Sequence, residues 1–71
     1  MDSSKDKYES IIRFMWGNKA YLTPLKTRVI ANGCEMSVYL ARYYLQELNR
    51  RHVVEPDSSS KGSSIYWYLV N

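Results

Sequence analysis

The chain is sparing with the residues that staple, ligate or catalyse. It has one cysteine and one histidine, so an internal disulfide is impossible, and a lone thiol fits a reducing compartment. His52 has no cysteine, second histidine or carboxylate at ligand spacing, so no metal is expected. Cys34 is expected to act as a small buried hydrophobe. Three glycines compose no phosphate-cradling loop, the carboxylates are not paired, and no nucleophile has a base set beside it. Neither an enzyme nor a cofactor is expected. Long hydrophobic runs are missing as well. The stretch from Ile11 to Trp16 is short, is broken by Arg13 and follows a charged, serine-bearing start. That is too little to span a bilayer and is not the pattern of a secretory signal. A soluble, cytoplasmic protein without membrane association is expected.

What is present suits one small folded unit. Seventy-one residues, 45% of them hydrophobic and 14% aromatic, predict a single domain over 1–71 near the lower size limit for a core without staples. Residues 1–5 are polar and expected to fray. The net charge is +3, and its placement says more than its size. Lys26, Arg28, Arg42, Arg50 and Arg51 against Glu35 and Glu47 put the whole excess between residues 26 and 51.

Apolar spacing organises the chain. A first helix is expected from near Asp6, with Glu9 as capping-box partner; Tyr8, Ile11, Ile12 and Met15 form its inward stripe, and Gly17-Asn18 end it. Tyr21-Leu22-Thr23 allow a very short strand, and Pro24 keeps any helix from running through. Thr27 is a natural N-cap for a second helix over Arg28 to Gly33, which buries Ile30, Ala31 and Cys34. A tight turn at Glu35 follows, with Met36 tucked inward and a residue other than glycine where positive φ is wanted. Ser37 then caps a third helix, reaching about Arg51, whose inner residues are Ala41, Tyr44, Leu45 and Leu48. His52 stands where a helix often ends on glycine or asparagine. Val53-Val54-Glu55 reads as a strand stopped by Pro56, residues 57–64 as a turn, and Ile65 to Val70 as a strand. In that last strand Ile65, Trp67 and Leu69 face one way and Tyr66 and Tyr68 the other.

Helix, short strand, helix, helix, strand, strand is the order of a winged helix-turn-helix, an α+β fold of three helices and a small antiparallel wing. Such a fold lays the exposed side of its last helix in the DNA major groove. Here that side carries Val38, Tyr39, Arg42, Tyr43 and Gln46, with Arg42 at its centre. An arginine there reads guanine O6 and N7, and Gln46 one turn on suits adenine. Tyr39 and Tyr43 suit phosphates or thymine methyls. Ser37 with the free N–H groups of the helix start, Lys26, Thr27 and Arg28 suit the DNA backbone, as does Lys61 at the wing tip.

ARYYLQELNRR at residues 41–51, then HVVEP, a loop with Lys61-Gly62, and IYWYL at 65–69 resemble the FaeA/PapI-like regulators of fimbrial operons in enterobacteria. KTRVIA, residues 26–31, is similar to the first motif helix of that family, and the resemblance extends over residues 8–70. It implies a small transcription regulator of an adhesin operon. Such regulators act beside the leucine-responsive regulatory protein at GATC-containing sites, where competition with adenine methylation gives phase variation. By position, Arg42 and Tyr43 would be its recognition-helix residues and Lys61 its wing residue. The chain departs in having a longer connection between its first two helices, His52 in place of the usual glycine and one basic residue in the wing.

A single module of this kind buries about 600–1,000 Å² on DNA. Four or five phosphate contacts would give a slope of about −4 in log affinity against log salt. No dimerisation helix is expected after Leu69. A monomer helped by a DNA-bound partner is therefore the expected arrangement. The alternative is a winged-helix protein-interaction module that uses Tyr39, Tyr43, Tyr66 and Tyr68 and touches DNA little.

Overall fold

The computed structural model describes residues 3–58 and 64–70, with the side chains of residues 3–5 outside that description. Its elements run α1 (Ser3–Gly17), β1 (Leu25–Lys26), α2 (Thr27–Gly33), α3 (Val38–Arg50), β2 (Val54–Pro56) and β3 (Tyr66–Leu69). Three helices and a three-stranded antiparallel sheet make the α+β winged-helix arrangement expected from the sequence.

Each helix buries the stripe that its spacing dictates. Ile11 and Met15 of α1, Ile30 and Ala31 of α2, and Ala41, Tyr44, Leu45 and Leu48 of α3 are buried. They meet Val54, Trp67 and Leu69 from the sheet and Ala20 from the first connection. Tyr8, Ile12, Phe14, Cys34 and Met36 close the edges of this core, so Cys34 is half-buried where full burial was expected. Burial raises its thiol pKa, which keeps the sulfur protonated and unreactive. Gly33 allows α1 and α2 to approach closely: a Cβ there would run into the Phe14 ring.

All three helices end in the same device. Lys19, Glu35 and His52 have φ of 56°, 54° and 61°, and each stands two residues beyond the last helical residue. Their N–H groups donate to Trp16, Asn32 and Leu48's neighbour Asn49, and the next N–H in each case reaches back further, Ala20 to Met15, Met36 to Ala31 and Val53 to Leu48. These are paired Schellman bonds, closed by apolar residues. The expected left-handed turns at Glu35 and His52 are present. The terminator of α1 is corrected: Gly17 is its last helical residue, and Lys19 takes the left-handed conformation. A side chain in that region costs about 1–2 kcal/mol relative to a right-handed residue. Glu35→Gly and His52→Gly are each expected to raise stability by roughly 0.5–1 kcal/mol, and the melting temperature by several degrees. Thermal denaturation followed by circular dichroism checks this, with alanine at the same positions expected to give no such gain.

Other boundaries also differ from expectation. α1 starts at Ser3, so Asp6 lies in its first turn and not at a cap. The first strand is Leu25–Lys26, because those residues pair with Trp67 and Tyr66; Tyr21-Leu22-Thr23 form a turn. The second strand extends through Pro56, which its edge position tolerates. Strand order is β1-β3-β2, with Val54, Glu55 and Pro56 opposite Leu69, Tyr68 and Trp67. Along β3, Trp67 and Leu69 point inward and Tyr66 and Tyr68 stay half-exposed, as alternation required.

Candidate nucleic-acid interface

The candidate surface begins at the start of α3. Ser37 is the N-cap, and its Oγ accepts the Leu40 N–H at 3.1 Å. The Ala41 N–H goes to the Ser37 carbonyl at 2.9 Å. Among the described residues the N–H groups of Val38 and Tyr39 have no acceptor, which leaves the positive end of the helix dipole open to an anion.

Beyond this turn, about 100° per residue separates the side chains into faces. With Ala41, Tyr44, Leu45 and Leu48 buried, the crest opposite belongs to Tyr39, which is 87% exposed, with Gln46 and Tyr43 beside it. Arg42 is exposed but stands on the flank of the crest, not at the centre where it was expected. Its flank faces the start of α2 and the base of the wing. One concavity there is lined by Val38, Tyr39 and Arg42 of α3, by Lys26, Thr27 and Arg28, and by Ser64 and Ile65. Six residues selected from sequence for one purpose thus share one surface.

The cations divide into two groups. Lys26, Arg28 and Arg42 are exposed around the concavity, and the Lys26 ammonium lies 5.7 Å from the Tyr66 ring centre. Arg42 has no ion pair among the described residues; Glu47 pairs with Arg50 at 3.5 Å. Arg51 lies over the Tyr8 ring, 5.3 Å from its centre. The charge excess of residues 26–51 is therefore not all on one face, because the two arginines at the end of α3 are engaged elsewhere.

Tyr43 also leans away from the concavity. Its ring meets Tyr44 edge-on at 5.4 Å, and Tyr44 meets Tyr8 at 4.8 Å. Burial, then the neighbouring Tyr43 and Glu47, raise the Tyr8 hydroxyl pKa. Tyr43 thus covers the α1–α3 seam with its ring while remaining 55% exposed. Gln46 is exposed on the crest. Lys61 lies outside the described residues.

Thr27 departs most from expectation. The N-cap of α2 is Lys26, which makes no side-chain cap bond, and Thr27 is the first helical residue, only 8% exposed. Its hydroxyl donates to the Ile65 carbonyl at 3.0 Å and accepts the Trp67 indole N–H at 2.8 Å. Sequence reasoning had no signal for this, because the partners lie 38 and 40 residues away.

The fold and this surface define a winged helix-turn-helix protein with a basic concavity between its last helix and its wing. The chain belongs to the FaeA-like family, a family of regulators: the family model described as FaeA-like protein matches residues 7–71. No curated protein matches the chain. Among the described residues no helix is long and apolar enough to cross a membrane.

Proposed function

We propose that the protein is a DNA-binding transcriptional regulator of a fimbrial or adhesin operon. It acts as a monomer beside the leucine-responsive regulatory protein at GATC-containing sites, in phase variation. The observation that carries the DNA reading is the concavity itself. Three exposed cations with no ion pair among the described residues, an exposed aromatic crest and the open N-terminus of a helix converge on one side of α3. Phosphates are bound by such cations and helix-start N–H groups, while a helix crest of about this width enters the major groove. Membership in the FaeA-like family supports the regulatory role.

On this reading α3 lies in the major groove with Tyr39 and Gln46 toward base edges and Arg42 reaching from the flank. Lys26 and Arg28 hold the adjacent phosphates. Arg50 makes only an exposed pair with Glu47, and Arg51 lies over the Tyr8 ring, so the count is taken on the cations around the concavity. Lys26, Arg28 and Arg42 together predict a slope of about −3 in log affinity against log salt.

Fluorescence anisotropy with GATC-containing and scrambled duplexes, over a salt series, tests this. Lys26→Ala is expected to weaken binding evenly across sequences and to reduce the slope by about one. Salt-independent behaviour, or no binding to either duplex in the presence or absence of the leucine-responsive regulatory protein, would defeat the DNA reading and favour a protein-docking role for the tyrosines.

A further inference from the structure

Thr27 is polar, buried and in the lining of the basic concavity, yet its hydroxyl proton and a lone pair are already engaged inside the protein. A threonine hydroxyl has one proton to give and lone pairs to receive. Here the proton goes to the Ile65 carbonyl at 3.0 Å and a lone pair takes the Trp67 indole N–H at 2.8 Å. The Thr27 backbone N–H goes to the same Ile65 carbonyl at 3.0 Å. That carbonyl therefore receives two bonds from one residue, and the indole donor is satisfied in the interior. No buried side-chain nitrogen or oxygen among the described residues lacks a partner.

These bonds join three parts of the molecule. Thr27 opens α2 and stands between Lys26 and Arg28 in the chain. Ile65 is the wing residue that enters β3, beside Ser64 in the wall of the concavity. Trp67 sits in the core, 3% exposed, paired across the sheet to Leu25. β1 contributes only two residue pairs to the sheet. That is a short ladder with which to hold the start of a helix against a wing, and the Thr27 bonds to Ile65 extend it by one further position.

We infer that Thr27 is a positioning residue that locks Ile65, at the base of the wing, to the start of α2, so that Lys26, Arg28 and the Ser64–Ile65 wall of the concavity face the phosphate backbone as one rigid jaw. The inference rests on the DNA reading above. It replaces the direct backbone contact expected of Thr27 with an indirect role: the residue sets the spacing of its charged neighbours and does not touch the ligand. Rigid placement matters here because ordering a loose wing at the moment of binding consumes free energy that would otherwise appear as affinity.

The test compares Thr27→Val, Thr27→Ser and wild type. Valine keeps the shape and removes the hydroxyl, whereas serine keeps the hydroxyl and loses a methyl. Duplex affinity and its salt slope are measured well below each melting temperature, with the Trp67 indole N–H followed by NMR hydrogen exchange. Thr27→Val, which loses two internal hydrogen bonds, is expected to bind about tenfold more weakly. Its salt slope should become shallower and the indole proton should exchange faster. Thr27→Ser is expected to restore all three. Ile11→Val, a core change remote from the concavity, serves as a control for lost stability and should leave affinity and slope unchanged. If Thr27→Val does not fold, Trp67→Phe, measured well below its own melting temperature, removes the indole donor together with part of its buried ring and is expected to cost about threefold in affinity. Wild-type binding with an unaltered slope and affinity in the folded variant would overturn the positioning role alone, as would an equal loss in the Ile11→Val control. A wild-type chain that binds no duplex would overturn the DNA reading, and this role with it.

Discussion

Arg42→Ala is expected to abolish most preference among duplex sequences while leaving the fold intact. The guanidinium is exposed, has no ion pair among the described residues and shares its concavity with Lys26 and Arg28. Removing it breaks nothing internal, and alanine is the better helix former, so the melting temperature should stay within about two degrees. A bidentate contact to guanine is worth about 1–3 kcal/mol, or roughly 5- to 150-fold in discrimination. Binding to scrambled DNA should fall much less, because other cations still meet phosphates. Competition anisotropy with specific and scrambled duplexes at matched salt reads the ratio directly. A ratio equal to wild type would show that Tyr39 and Gln46 on the crest read sequence without Arg42. Its flanking position makes that comparison informative, since the arginine must reach inward from the wing side.

Leu45→Ala, three residues along the same helix, is expected to do the opposite. Leu45 is fully buried among Ile11, Met15, Ile30, Leu48, Val54 and Trp67. Truncating such a leucine costs about 2–5 kcal/mol, part lost burial and part residual cavity. A domain of this length is stabilised by only about 4–10 kcal/mol in total. The melting temperature should fall by more than ten degrees, roughly 4–8 °C for each kcal/mol in so small a domain. Calorimetry measures this. Sequence preference of the remaining folded fraction should match wild type. The two variants thus separate the inner and outer faces of one helix, and a mirror-image result, with Arg42→Ala unfolding the chain, would refute the placement of both.

The helix-turn-helix was legible because its constraints are local. Ile30, Ala31, Ala41, Tyr44, Leu45 and Leu48 fall at spacings that only two crossing helices satisfy, and Ser37 announces its cap. Glu35 and His52 were recognisable as left-handed positions because each follows a helix whose apolar stripe has ended. β3 was legible from alternation of large residues on two faces. Features set by distant partners were not. β1 is two residues long, too short to alternate, and its position is decided by where β3 pairs. Gly17 drew attention as a terminator, though the chain turns left-handed at Lys19. Thr27 was read as an N-cap and a DNA-backbone contact at a helix start, because the indole and carbonyl that bury it are far along the chain. Likewise Arg51 looked like a free cation until α1 brought Tyr8 beneath it. For the site, sequence reasoning chose residues of which six line one concavity and set Arg42 at the centre of a face whose flank it occupies, since helical spacing ranks angles but not which neighbour each flank faces.

The sheet's middle strand comes after both of its neighbours in the chain. β1 and β2 each pair with β3 and lie on opposite sides of it, and Trp67 of β3 also anchors Thr27 at the start of α2. A nascent chain halted before Trp67 can form helical turns but has no scaffold on which to register its two outer strands. Synthesis adds about 5–20 residues per second, so the pieces wait a few seconds for the ribosome to release their common partner. The sheet therefore waits on Trp67, and a product terminated before it has two outer strands with no partner to register on.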